Sequence, residues 1–171
     1  MKTCFRSVLT VMVLAMTAIP LMAAPPANPA SFALLGPSGG LGGTPFSDNQ
    51  NPRFRISEVR VRSSDYIHAI QLVYEHGTGQ MAGVYHGGKG GGSLDVFRLE
   101  PGEEIISVSG KYGVFIESMA IETSKGRKKS WGGKDGIASY AYQVPKGSSI
   151  QGFFGRSSET LDALGVILRT P

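Results

Sequence analysis

Asp162 ends a five-residue run, Ser158-Glu159-Thr160-Leu161-Asp162, whose groups together suit a polyhydroxylated ligand. One carboxylate accepts from two adjacent hydroxyls, with charge-assisted bonds worth about 1.5–3 kcal/mol each. Successive backbone N–H groups of a short turn can donate to neighbouring oxygens. A glycine loop opposite lets a second backbone approach with no Cβ in the way. Loops of that kind begin at Gly39 (GGLGG), Gly87 (GGKGGG) and Gly132 (GGKDG). The pattern matches the vicinal hydroxyls of a pyranose. Taken alone, Asp162 could equally be a carboxylate that stabilises its own turn. The loops could be plain hairpin turns, although two or three consecutive glycines exceed what a turn requires.

Catalytic patterns are not found. His68, His76 and His86 lack metal-ligand spacing. No serine lies in a nucleophile elbow, and no phosphate-binding or dinucleotide fingerprint is present. Acidic pairs exist, but none separates an acid from a base. A non-enzymatic chain without cofactor or metal is expected.

The N-terminal 24 residues read as a secretory signal: Lys2 and Arg6, an apolar run from about Val8 to Met22, then Ala23-Ala24. The run is too short for a comfortable membrane anchor, so no transmembrane segment is expected after its removal. The single cysteine, Cys4, lies inside it, which leaves the mature chain without disulfide or thiol chemistry. Losing Lys2 and Arg6 and no acidic residue lowers the formal net charge from +4 to +2. Nucleic-acid binding gains no support from so weak a charge. Residues 25–33 read as a flexible Pro-rich lead-in, and 34–171 as one folded domain.

Short alternating runs must position these groups: Arg55–Arg62, Ile70–Tyr74, Ile105–Ser109, Met119–Thr123 and Val166–Arg169. Turn-forming clusters separate them at about 8–12 residues, the signature of a closed all-β fold. The glycine loops recur at 48 and 45 residues. A second landmark, Ser64–Ile70, Gly113–Met119 and Ser158–Leu164, recurs at 49 and 45. Two landmarks keeping one period predict three units of about 45 residues. Four strands fit in each, giving a prism of three four-stranded sheets around a pseudo-threefold axis.

GPSGGLGGTPFSD, SGKYGVFIESM and GFFGRSSETLDALGV resemble the jacalin-related lectins, and the likeness covers about residues 34–171. PGEEIISVSGKYG followed by KGR is similar to the animal zymogen-granule secretory lectins of that family. The resemblance implies an all-β β-prism of three Greek-key sheets that binds mannose- or galactose-type glycans without calcium. It pairs each glycine loop with a Gly-x-x-x-Asp turn. In the first site Gly43 would face Asp162, with Glu159, Thr160 and Leu161 offering backbone amides; Ser158 stands where the family has glycine. In the second, Gly90 and Gly91 would face Ser64 to His68, where an imidazole replaces the carboxylate and offers one acceptor. In the third, the loop containing Gly133 and Lys134 would face Gly113 to Glu117; Glu is one methylene too long, and Lys134 could capture it. Galactose-type members are cut at the glycine loop. Nothing at Gly42-Gly43 reads as a processing signal, so the resemblance implies mannose or glucose ligands.

Lys125, Arg127, Lys128 and Lys129 form a basic tip expected beside the third glycine loop, either a solvated hairpin end or a contact for anionic polysaccharide. Trp131 is expected to pack within its sheet, with stacking on a sugar face as the alternative. The alternative to a secreted lectin is a β-prism interaction module with degenerate sugar sites, binding protein or anionic polymer. Homo-oligomer formation is compatible with either.

Overall fold

The computed structural model describes residues 31–48 and 51–170. The signal segment 1–24 and most of the lead-in lie outside them. The lead-in is corrected at its end: Ser31, Phe32 and Ala33 already belong to a strand and pair with Thr170, Arg169 and Leu168.

The described residues form twelve strands: β1 (Ser31–Gly39), β2 (Thr44–Ser47), β3 (Arg55–Ser63), β4 (Ile67–His76), β5 (Gly79–Gly87), β6 (Ser93–Arg98), β7 (Ile105–Tyr112), β8 (Ile116–Thr123), β9 (Lys128–Gly132), β10 (Ala138–Gln143), β11 (Ser149–Ser157) and β12 (Leu161–Thr170). All pairings are antiparallel. The second sheet has the order β5-β4-β3-β6 and the third β9-β8-β7-β10. The first, β1-β12-β11-β2, takes two strands from each end of the described chain. Each is a Greek key, and a single pair, Ile150 with Ile105, joins the first sheet to the third.

The alternation that specifies a strand also specifies which face turns inward. In β10, Tyr140 and Tyr142 are buried while Ser139 and Ala141 are exposed. Val59 and Leu72 from the second sheet, Val108 and Met119 from the third, and Phe153 and Leu164 from the first meet in one core. Branched and aromatic side chains fill such a pleated interior well, and each sheet is too small to bury its face alone.

The register slips at the same place in each sheet. Arg62 pairs with Ala69 but Ser63 with Ile67, which leaves His68 as the extra residue. Glu117 is left over in the same way between Ile116 and Ser118, and Asp162 between Leu161 and Ala163. A β-bulge re-aims one side chain at the strand end. These bulges therefore hold the three residues that the resemblance assigned to the carboxylate position, while further slips near the other strand ends leave Ser57, Ile106 and Gln151 over.

Candidate binding site

Each bulge stands at the start of the second strand of its Greek key, next to the loop joining the third strand to the fourth. Strand direction places all three loops and all three turns at one end of the prism.

In the first sheet, Gly40 N–H donates to the Asp162 carbonyl at 2.8 Å. The Asp162 side chain is buried beneath the loop, where Ser158 Oγ donates to its Oδ2 at 3.2 Å. A Cβ on Gly43 would stand 2.5 Å from Oδ2 and from the Ser157 carbonyl oxygen, and Gly43 has a φ of +61°. Both the space and the left-handed backbone demand glycine there. A Cβ on Gly42 would likewise meet Oδ1 at 2.5 Å. Ser158 and Glu159 are exposed, Thr160 half-buried and Leu161 buried. Ser158 N–H closes the turn onto the Thr160 carbonyl at 2.9 Å. Ser158, standing where glycine was expected, thus adds a hydroxyl that holds the carboxylate.

The matching family is the Jacalin-like lectin domain, over residues 35–167. The chain belongs to the jacalin-like lectin family. It is 34% identical over 138 residues to zymogen granule membrane protein 16 of Homo sapiens, covering 80% of each chain. Among solved structures, Malaysian banana lectin superposes with a TM-score of 0.72 at 27% identity, over 82% of this chain and all of that one. A mannose-binding jacalin-related lectin from Ananas comosus gives 0.71 at 27% identity, covering 82% of this chain and 98% of the other.

The second and third sites of this jacalin-like domain are built on the same plan with different side chains. His68 is buried between the Tyr66 ring, 4.6 Å away, and Gly91, and its Nε2 is 2.8 Å from Ser64 Oγ. Gly90 faces open space. In the third site Gly133 N–H donates to the Glu117 carbonyl at 3.0 Å, and the Glu117 side chain lies between Gly113 and Gly136. Lys134 does not capture it: no ion pair joins them among the described residues. The Lys134 carbonyl instead accepts from Lys111 Nζ at 2.8 Å.

That contact exposes residues the spacing argument missed. Arg156 donates from Nε and Nη2 to the carbonyls of Gly42 and Gly43, both at 2.7 Å. Arg62 Nη1 donates to the Gly92 carbonyl at 3.2 Å, and Lys111 takes the same part in the third sheet. Arg62, Lys111 and Arg156 are 49 and 45 residues apart, the interval of the second landmark. A cation recurring at that interval was the available signal.

The loops also interlock. Gly133 N–H donates to the Asp65 carbonyl at 3.0 Å, Gly88 packs under Glu159, and Gly40 packs on the Val114 carbonyl. Each glycine loop thus touches the turn of a neighbouring sheet, closing a ring.

The basic tip lies elsewhere. β9 runs from Lys128 to Gly132, so the turn holding Lys125 and Arg127 sits about 13 Å or more from the third glycine loop, at the other end of the prism. Its charges are matched: Lys125 with Glu100 at 2.9 Å, Arg127 with Glu103 at 2.7 Å, Lys128 with Glu122 at 3.2 Å and Lys129 with Asp95 at 2.6 Å. Four cations facing four carboxylates leave little field for an anionic polymer. Trp131 is buried, its indole N–H on Asp95, and is not open to stack on a sugar.

Proposed function

We propose that this chain is a secreted, non-enzymatic lectin that binds mannose- or glucose-type glycans without metal, using Asp162, Gly43 and the Ser158–Leu161 turn. The observation that carries the reading is the bulged Asp162 carboxylate held by Ser158 under the Gly42-Gly43 loop. Carboxylate oxygens fixed beside the amides of a short exposed turn suit two adjacent hydroxyls of one pyranose. The mannose-binding relative from Ananas comosus supports the sugar class, and nothing at Gly42-Gly43 reads as a processing signal. Secretion is inferred from residues 1–24. The contacts proposed for the sugar, one carboxylate and backbone amides, support a metal-independent mode of binding.

A glycan array followed by calorimetry tests this. Methyl α-mannoside should compete for the array hits and bind with a Kd of about 1 mM, near −4 kcal/mol. EDTA should leave binding unchanged. Galactose outcompeting mannose would overturn the sugar class, and an array without saccharide-competed hits would overturn the reading.

A further inference from the structure

A cleft of about 270 Å³ lies between the edge strands β2 and β5, where the first sheet meets the second. None of its lining residues belongs to a glycine loop or to a bulged turn. Ser47, Asp48 and Tyr74 supply its polar wall, and Met81, Ala82 and Val84 its apolar one. The polar wall holds an unmet hydrogen bond. Tyr74 is 1% exposed, and its hydroxyl has no partner among the described residues. Such a group forfeits the bonds that water would make to it, so an occupant that restores one binds at an advantage. Asp48 is fixed beside it. Its Oδ1 accepts from His86 Nε2 and its Oδ2 from the Phe153 N–H, both at 2.9 Å. A carboxylate has about four lone-pair sites, so acceptor capacity remains. The two side chains converge: a Cβ on Gly152 would stand 2.9 Å from Asp48 Cβ and 3.7 Å from the Tyr74 hydroxyl oxygen. Burial, and then the Asp48 charge, raise the Tyr74 pKa, so this side chain keeps its proton and can donate it.

We propose that this cleft binds a small hydroxylated aromatic molecule, whose hydroxyl accepts from Tyr74 and donates to Asp48 while its ring rests on Met81, Ala82 and Val84. One hydroxyl answers both groups at once, because it carries a donor and two acceptor lone pairs. An ammonium cannot accept from Tyr74, and a carbonyl cannot donate to the carboxylate. An anionic ligand would be repelled by the Asp48 charge. Met81 and Val84 are 41% and 66% exposed, so their apolar surface is open to a ring. A thioether packs well against an aromatic edge. Volume sets the size of the ligand: a cavity of about 150 Å³ already holds benzene, so the cleft has room for one ring and its substituents. The site stands apart from the lectin reading, since it shares no residue with Asp162, Gly43 or the Ser158–Leu161 turn.

The test is an amide NMR titration of the full mature domain with phenol and with toluene, two probes of nearly equal shape. Phenol should shift the resonances of Ala82, Gly83 and Val84 with a midpoint of about 1 mM, and toluene should bind about tenfold more weakly. Tyr74→Phe removes only the unmet hydroxyl, so the fold should hold. In that variant phenol should lose its advantage, and the two probes should bind within about twofold of each other. Ala82→Phe, which fills the cleft from an exposed position, should abolish both responses. Saturating methyl α-mannoside should leave the phenol midpoint unchanged. Cleft amides that stay silent to phenol would overturn the site, as would a phenol response confined to Gly42 and Gly43. Equal binding of the two probes to the unmodified protein, or an undiminished preference for phenol in Tyr74→Phe, would overturn the role of the hydroxyl. Silence of Gly42 and Gly43 towards mannoside would count against the lectin reading alone, because the cleft is read from different resonances.

Discussion

The indole N–H of Trp131 donates to Asp95 Oδ2 at 3.0 Å, tying the last turn of β9 to β6 of the neighbouring sheet. His86 and Ser38 precede their double glycines in the same way and make the matching contacts. His86 Nε2 donates to Asp48 Oδ1 at 2.9 Å, and Ser38 shares a 2.7 Å hydrogen bond with Tyr142. Three chemically unrelated residues thus anchor three glycine loops to the fourth strand region of another sheet. Trp131→Phe keeps the packing and removes the bond, at a cost of about 1 kcal/mol, or 2–4 °C in Tm. Monosaccharide affinity should change less than twofold. A larger loss of affinity with an intact melt would mean that the indole touches sugar after all.

Asp162→Asn preserves the shape of the bulge while replacing one acceptor oxygen with a donor. Losing two charge-assisted bonds corresponds to about 3 kcal/mol, so affinity for methyl α-mannoside should fall about 100-fold. Calorimetry on a variant with unchanged circular dichroism checks this. Affinity within threefold of the parent would place the sugar somewhere else.

Arg156 carries no expected contact with sugar, yet it fixes both carbonyls of the Gly42-Gly43 corner. Arg156→Ala should let that loop drift and reduce first-site affinity about tenfold, as expected when a preorganised wall loosens. Arg156→Lys should recover part of it, because one ammonium can reach one carbonyl. If Lys is no better than Ala, loop positioning is the wrong explanation.

At the far end of the prism, burial raises the Glu103 carboxyl pKa. The Glu100 N–H, the Thr123 hydroxyl and the Arg127 guanidinium outweigh it and hold the group below its ordinary range. A carboxyl lowered in the native state adds stability that is complete above its unfolded value and lost as pH falls through the native one. Tm should therefore be nearly flat from pH 7 to about 5 and fall below about pH 4, with Glu103→Gln flattening the acid limb. Arg127→Ser leaves the buried carboxylate without its cation and should cost about 2 kcal/mol, or 4–8 °C. Glycan binding at neutral pH should be unaffected. An acid limb identical in Glu103→Gln would assign the effect to other groups, with Asp95 next, since the Lys129 bond lowers its pKa.

Periodicity carried a great deal. Two landmarks at one interval were enough for three units with four strands in each, and the resemblance, carried over at that interval, pointed to Asp162, His68 and Glu117, because a repeated sheet must place equivalent residues at equivalent strand ends. Chain order alone could not show that each chosen residue is a bulge, since a bulge is a property of two paired strands and their register. Nor could it reveal that Glu159 lies on Gly88 or that Gly133 binds Asp65, contacts between units that meet only when the prism closes. The basic tip shows the same limit. Lys129 is three residues from Gly132 in sequence, but an extended strand separates its charge from the loop, and acids on other strands neutralise it. Local spacing determined which residues are equivalent; packing of the sheets decided which of them touch.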